Sequence, residues 1–309
     1  MKKYKIGVSI LLAFTMFSLI FICCGGTSEA ASASSNNTKR RVVDICLGYD
    51  SAAALFGDGT AKKIKHGYYE EISSNKNWSD LVDIECGWTY DKFYGLRSDG
   101  TVVLGNNPLN DSDKWTDIIK IEMGNYSDSP LVGLKKDGTV VTNKDYGFEE
   151  VNKWSDVKDI SVCSSTIAAI TNSGQVMVAT KSGKDDHGAC NVDEWDDLDI
   201  VQVSAGGGYT AALLEDGTVI TTELIGSGLV AENYIDEVED WTDITQICAG
   251  ITQIAGITSD GRVVVAHTEE YNYDVSYWRD VVKLISGEDA LIGIRKDGKF
   301  YYAGDEERY

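Results

Sequence analysis

The sequence predicts an all-β protein, a seven-bladed β-propeller, and three observations carry that expectation. An Asp-Gly pair recurs at Asp58, Asp99, Asp137, Asp216, Asp260 and Asp297, with Ser173-Gly174 in the remaining gap, at spacings of 41, 38, 36, 43, 44 and 37 residues. Six of the seven tryptophans (Trp78, Trp115, Trp154, Trp195, Trp241 and Trp278) fall in phase with those pairs. No segment keeps a helical period, and a strand-rich unit repeated about every 40 residues is the signature of a propeller or solenoid.

Each unit reads the same way. In WSDLVDIECG (78–87) and WTDITQICAG (241–250), apolar residues recur at every second or third position, as in a strand with one well-buried face. A second apolar run follows, for example TAALL (210–214), and then Asp-Gly supplies a tight turn, because Gly accepts positive φ and Asp bonds its own backbone. A Thr-Val-Val-like run starts a third strand, and a variable polar segment that has room for a short fourth strand leads to the next Trp. Such units cannot bury their faces alone, and antiparallel units of three or four strands stack most readily into a closed ring. Repeat one has Lys39 and Arg41 where the others have Trp and Asp, and repeat seven stops soon after its third strand. The ring seam is therefore expected at the chain ends, with the N-terminal residues completing the last blade.

Three regions follow from this division. Residues 1–33 carry Lys2, Lys3 and Lys5 before an apolar run from Ile6 to Cys24 and end in Ala31-Ser32-Ala33, the layout of a secretory signal peptide. The run is also long enough for an uncleaved single-span anchor. A lipid anchor on Cys23 or Cys24 is disfavoured by the large residues before them. Residues 34–41 form an N-terminal segment at the seam, and 42–309 form the propeller. Every version of the first region places the rest at the cell surface or in the extracellular space.

Net charge is −21, and removing residues 1–33 takes three Lys and one Glu from the totals of 28 and 49, leaving −23. That sign excludes nucleic acid as a partner and leaves a membrane only through the N-terminal segment. It keeps an exported monomer soluble and attracts basic partners. Five cysteines remain beyond residue 33, Cys46, Cys86, Cys163, Cys190 and Cys248, with no zinc spacing. They read best as small buried strand residues, ahead of a disulfide or a metal site.

The pattern W-x-D-I-x-x-I-x-x-G followed by G-L-x-x-D-G-T-V resembles the regulator-of-chromosome-condensation propeller repeat, closest to its compact bacterial version. The piece ACNVDEW (189–195) is similar to the approach to the fourth strand in that version. The resemblance covers about Arg41 to the C-terminus. Two departures stand out. The family's histidine after the strand-one Gly is replaced by residues such as Ser51, Tyr209, Gln253 and Ala290, and repeat four has Cys163 and Ser173 for its Gly and Asp. The resemblance implies a binding platform rather than one fixed function. Nucleotide exchange beside chromatin conflicts with the export signal and the charge. Secreted bacterial members include an inhibitor that caps β-lactamases with one propeller face.

The loops between first and second strands should share one face. They hold Tyr49, Asp50, Trp88, Tyr90, Asp91, Tyr126, Asp128, Tyr209, Glu288 and Asp289. Aromatics among acids on one rim suit protein recognition, since Tyr and Trp give rigid contact area at low entropic cost. The expected function is a non-catalytic, extracellular protein-binding propeller, an inhibitor or scaffold whose partner is basic or a secreted or surface enzyme. A cell-wall or carbohydrate-binding module is the alternative. No cofactor or metal is expected. The acidic runs at 193–199 and 232–243 lack calcium-loop alternation, and no catalytic motif appears. An enzyme using the central channel would need carboxylates or histidines at one equivalent position in several repeats, and the sequence reading finds no such set.

Overall fold

The computed structural model describes residues 41–48, 51–65, 68–72, 78–88, 92–105, 111–124, 126, 129–143, 147–164, 166–181, 187–222, 235–268 and 273–304. They form seven antiparallel sheets in strict chain order. Blade 1 is β1 (Val42–Leu47), β2 (Ala52–Phe56), β3 (Ala61–Lys65) and β4 (Tyr68–Glu70). Blade 2 is β5 (Leu81–Cys86), β6 (Phe93–Arg97) and β7 (Val102–Leu104), and blade 3 is β8 (Ile118–Met123), β9 (Leu131–Lys135) and β10 (Val140–Thr142). Blade 4 is β11 (Val157–Cys163), β12 (Thr166–Thr171) and β13 (Val176–Thr180), and blade 5 is β14 (Ile200–Ala205), β15 (Thr210–Leu214) and β16 (Val219–Thr221). Blade 6 is β17 (Ile244–Ala249), β18 (Gln253–Thr258) and β19 (Val263–His267), and blade 7 is β20 (Val281–Ser286), β21 (Ala290–Arg295) and β22 (Phe300–Gly304). Among the described residues the fourth strand appears in blade 1 alone. Short 3-10 turns at Asp111–Lys114, Val151–Lys153, Asp193–Trp195 and Ile235–Asp240 lead towards the later tryptophans.

First strands pack against first strands all the way round, and β20 meets β1, so the ring closes on itself. There is accordingly no single central core. Seven apolar clusters lie one at each blade interface, and each except the seam holds one of the repeat tryptophans. Trp78 and Trp278 are buried, while Trp115 and Trp241 are partly buried. The indoles of Trp78, Trp115, Trp241 and Trp278 lie against the second-strand glycine of their own blade, where a Cβ on Gly133 would come within 3.0 Å of Trp115 and one on Gly293 within 2.7 Å of Trp278. The seam cluster joins Val42, Ile45 and Leu47 to Ala290, Ile292 and Ile294 without a tryptophan, since repeat one supplies none.

The Trp-x-Asp and Asp-Gly elements turn out to be two halves of one clasp. Asp80, Asp117, Asp156, Asp243 and Asp280 are left-handed, with φ near 60°. Each backs onto the turn glycine of the preceding blade, as Asp156 Cα would lie 3.2 Å from a Cβ on Gly138. The next residue donates its N–H to that glycine's carbonyl: Leu81 to Gly59, Ile118 to Gly100, Val157 to Gly138, Ile244 to Gly217 and Val281 to Gly261, at 2.9–3.1 Å. Arg41 takes the Asp place at the seam, stacking on Gly298 and donating from Nη1 to the Lys296 carbonyl at 3.2 Å. Residues 34–40 lie outside the described residues. Repeat four, with Ser173, lacks the clasp: Ile200 N–H bonds Leu198 instead, and nothing lies within 4 Å of a Cβ on Gly174.

One expectation is corrected. Cys46 and Cys86 are not merely small buried residues but a disulfide linking the first strands of blades 1 and 2. The sequence reading weighted cysteine parity and spacing, whereas ring geometry puts neighbouring first strands side by side with Cα atoms 5.4 Å apart. Cys163 and Cys248 remain thiols in their own first strands, with burial raising both pKa values to about 12.

Two outcomes follow from these contacts. Gly138→Ala should lower stability by about 1 kcal/mol more than Gly174→Ala, because both carry left-handed strain but only the first presses on a neighbouring blade. Equal losses in paired urea melts would remove the clasp. Cys86→Ser, or reduction, should cost on the order of 2–4 kcal/mol, read by the same melts.

Candidate functional site

Two regions of the ring bring polar and aromatic chemistry together: the central channel and the loop face. In every first strand the register against the second strand skips one residue, a β-bulge. The residue after the bulge is polar in all seven blades: Asp44, Asp83, Lys120, Asp159, Gln202, Gln246 and Lys283. The expectation that no carboxylates share an equivalent position is therefore corrected, since Asp44, Asp83 and Asp159 do. The mixture of Asp, Lys and Gln hid the column.

These side chains stitch one blade to the next. Lys283 Nζ pairs with Asp44 at 2.6 Å across the seam, and Asp83 accepts from Ile121 N–H at 3.1 Å. Lys120 reaches Asp159 at 2.7 Å and the Ile160 carbonyl at 2.8 Å. Gln202 both accepts from Ile247 N–H and donates to Ile247 C=O, at 2.9 Å each, and Gln246 accepts from Leu284 N–H at 3.0 Å. Between blades 4 and 5, Ser161 Oγ accepts from Ala205 N–H at 3.0 Å. The Cys46–Cys86 bond serves the interface of blades 1 and 2. The belt has one link at each of the seven interfaces.

A second tier lies nearer the loop face, at the positions where the resembled family carries histidine. Tyr209 OH donates to the Gln253 carbonyl at 3.2 Å, and Gln253 Nε2 donates to Ser286 Oγ at 2.7 Å and to the Ala290 carbonyl at 3.0 Å. Ser129 Oγ donates to the Ser164 carbonyl at 2.5 Å. Tyr209 is thus fully buried between blades 5 and 6 and does not stand on the rim. Asp289 is buried as well, whereas Glu288 is half-buried, its carbonyl accepting from Thr252 at 3.0 Å. Trp88 and Tyr126, from the loops of neighbouring blades 2 and 3, form a ring pair with centroids 4.8 Å apart and planes tilted by 37°. Tyr126 is 41% exposed. Tyr49, Asp50, Tyr90, Asp91 and Asp128 lie outside the described residues.

The channel carries more acid than base. Burial, then the charges of Asp44 and Glu122, push Asp83 up to about 7 against the pull of Lys283. Burial, then Glu122 and Asp83, hold Glu85 well above the carboxylate range, and burial raises Glu122 despite its 2.9 Å pair with Lys120. Burial depresses Lys120 and Lys283, but the surrounding carboxylates outweigh it and hold both ammonium groups charged. Among the described residues no group of three or more His, Cys, Asp or Glu is arranged to hold a metal ion. Asp44, Asp83, Asp159 and Glu122 are engaged with backbone N–H groups or with Lys120 and Lys283.

A pH dependence follows, with its sign set by the direction of these shifts. The folded chain keeps a proton on Asp83 up to about pH 7 that the unfolded chain loses near 3.8, so stability falls as pH rises through that window. Urea midpoints should decline from about pH 4 to about pH 7, and Asp83→Asn should flatten the decline. A midpoint that climbs over that range, or a slope unchanged in the variant, would contradict this reading.

No family model and no curated protein sequence matches the chain. Solved structures do. The CRINKLY WD40 ectodomain of the Arabidopsis thaliana receptor kinase ACR4 aligns over 84% of this chain and 93% of its own at 13% identity, with a TM-score of 0.60. Yeast RCC1 (Prp20), solved bound to Kap60, aligns over 86% and 81% at 13% identity and 0.52. YCF48, solved bound to D1 peptide, aligns over 87% and 95% at 10% identity and 0.53. At these identities the likeness speaks for architecture, and its conclusion is that the chain has the β-propeller fold, seven blades in this case.

Proposed function

We propose that this chain is a non-catalytic propeller that acts outside the cytoplasm and binds another protein through its loop face. The observation that carries the reading is the Trp88–Tyr126 pair. Two loops from different blades present adjoining rings, which is how a rigid scaffold offers large contact area with few rotatable bonds. The Tyr126 loop is held from below, where Tyr126 N–H donates to Ser129 Oγ at 3.2 Å and Ser129 Oγ donates to the Ser164 carbonyl of the next blade.

Three further observations support it. A disulfide between blades suits an oxidising compartment, in line with the N-terminal apolar run. The charge of −21 favours a basic partner, an exported or surface enzyme among the candidates. Among propellers of similar architecture, RCC1 is seen bound to Kap60 and YCF48 to a peptide.

The test begins with affinity capture from the extracellular and surface proteins of the source organism. Replacing Trp88 and Tyr126 together by Ala should then weaken the captured partner by about 2–4 kcal/mol while leaving the urea midpoint in place. Unchanged affinity would remove the loop face from the account. A glycan array bound by the wild type but not by the double variant would replace the protein partner with carbohydrate.

A further inference from the structure

The bulge residue at the start of each first strand is exposed, and in five blades it is aliphatic: Val43, Val82, Ile119, Val201 and Val282. These residues lie beside the end of the second strand, as Leu81 pairs with Arg97, and so on the face of the Asp-Gly turns, opposite the aromatic loops. First strands form the innermost circle of the ring, which puts the bulge residues around the channel mouth. Val282, Val43, Val82 and Ile119 belong to four consecutive blades, 7, 1, 2 and 3, and are 46–55% exposed. The fold does not demand apolar side chains there, because Lys158 and Thr245 fill the same position in blades 4 and 6. Exposed apolar side chains recurring at one position on consecutive blades mark an interaction surface.

The charges on this face indicate what would cover the arc. The turns of blades 2, 3 and 7 carry both signs, Arg97, Lys136 and Lys299 beside Asp99, Asp137 and Asp297. Blade 5, across the mouth, has no Lys or Arg among its described residues, and the one cation of blade 6, Arg262, is tied to its turn partner Asp260 at 3.0 Å. Asp197, Asp199, Glu215, Asp216 and Asp243 stand exposed beside it. Backbone bonds make this sector continuous: Asp199 C=O accepts from Glu215, Gly217 from Ile244 in the next blade, and Asp243 from Ser259, at 2.8–3.0 Å.

We propose that the turn face is a second docking surface, whose occupant is a protein segment presenting aliphatic or aromatic side chains to Val282, Val43, Val82 and Ile119 with a Lys/Arg cluster to one side. The apolar part of the segment covers the arc, and its cations meet the acidic sector of blades 5 and 6, which sets orientation and speeds encounter. Lipid headgroups would leave that sector uncompensated. This surface is independent of the loop face and stands or falls separately from it.

The test is selection of displayed random peptides on the folded protein, followed by affinity measurement against variants. Recovered peptides are expected to combine apolar residues with clustered Lys or Arg, and to weaken at least about tenfold on Val82→Asp/Ile119→Asp. They should keep their affinity for Val82→Thr/Ile119→Thr at low salt better than at high salt, and for Trp88→Ala/Tyr126→Ala throughout. The Thr pair repeats the Thr245 solution and so reports on folding. Recovered peptides indifferent to the Asp pair, or rich in acids, would overturn the proposal. So would flotation with phosphatidylcholine–phosphatidylglycerol vesicles, or self-association in sedimentation, that the Asp pair abolishes.

Discussion

The ring depends on how seven innermost strands meet without hydrogen bonding to one another as a sheet. Each first strand has its own second strand on one side and the channel on the other, so its outward backbone groups need partners from the next blade. The belt supplies them. In most blades the side chain after the bulge reaches across and bonds a neighbouring N–H, carbonyl or charged group, as Asp83 does for Ile121 and Gln202 for Ile247, while Ser161 and the Cys46–Cys86 bond serve the blade 4–5 and blade 1–2 interfaces. Buried backbone donors left unpaired are costly, so these contacts settle the spacing of the blades as well as their number.

The bulge is what makes the belt possible. Skipping one residue at the start of the first strand turns the next side chain towards the neighbouring blade, and leaves the skipped residue at the channel mouth. One local irregularity therefore provides the inter-blade link and the exposed position around the turn face. Farther out, the left-handed aspartates and turn glycines repeat the same logic with backbone alone. Where the clasp is not made, between blades 4 and 5, Ser161 Oγ and the cluster around Trp195 hold the interface.

The repeat was legible in the sequence because its demands are local and identical in each blade. Trp needs the facing glycine or another small residue, and the turn needs Gly, so Trp115 and Gly138 announce themselves. The belt was not, because Asp, Lys and Gln perform one task with different chemistry, and no single residue type marks the column. The Cys46–Cys86 pair was hidden for a related reason: their adjacency exists only once the first strands of consecutive blades pack side by side. On the loop face, counting from the strand-one glycine gives the loops but not the depth of each side chain. Trp88 and Tyr126 do meet, whereas Tyr209 turns inwards and donates to the Gln253 carbonyl.

The central claim is that the seven blades form one closed, mutually stitched unit. Native-state hydrogen exchange at Ile121, Ala205, Ile247, Ala249 and Leu284, the amides that bond side chains of the preceding blade, tests it most directly. The account predicts that all five exchange only through global unfolding, with matched protection that falls together in urea. Blade 1 or blade 7 exchanging as a separate, less stable unit would contradict it.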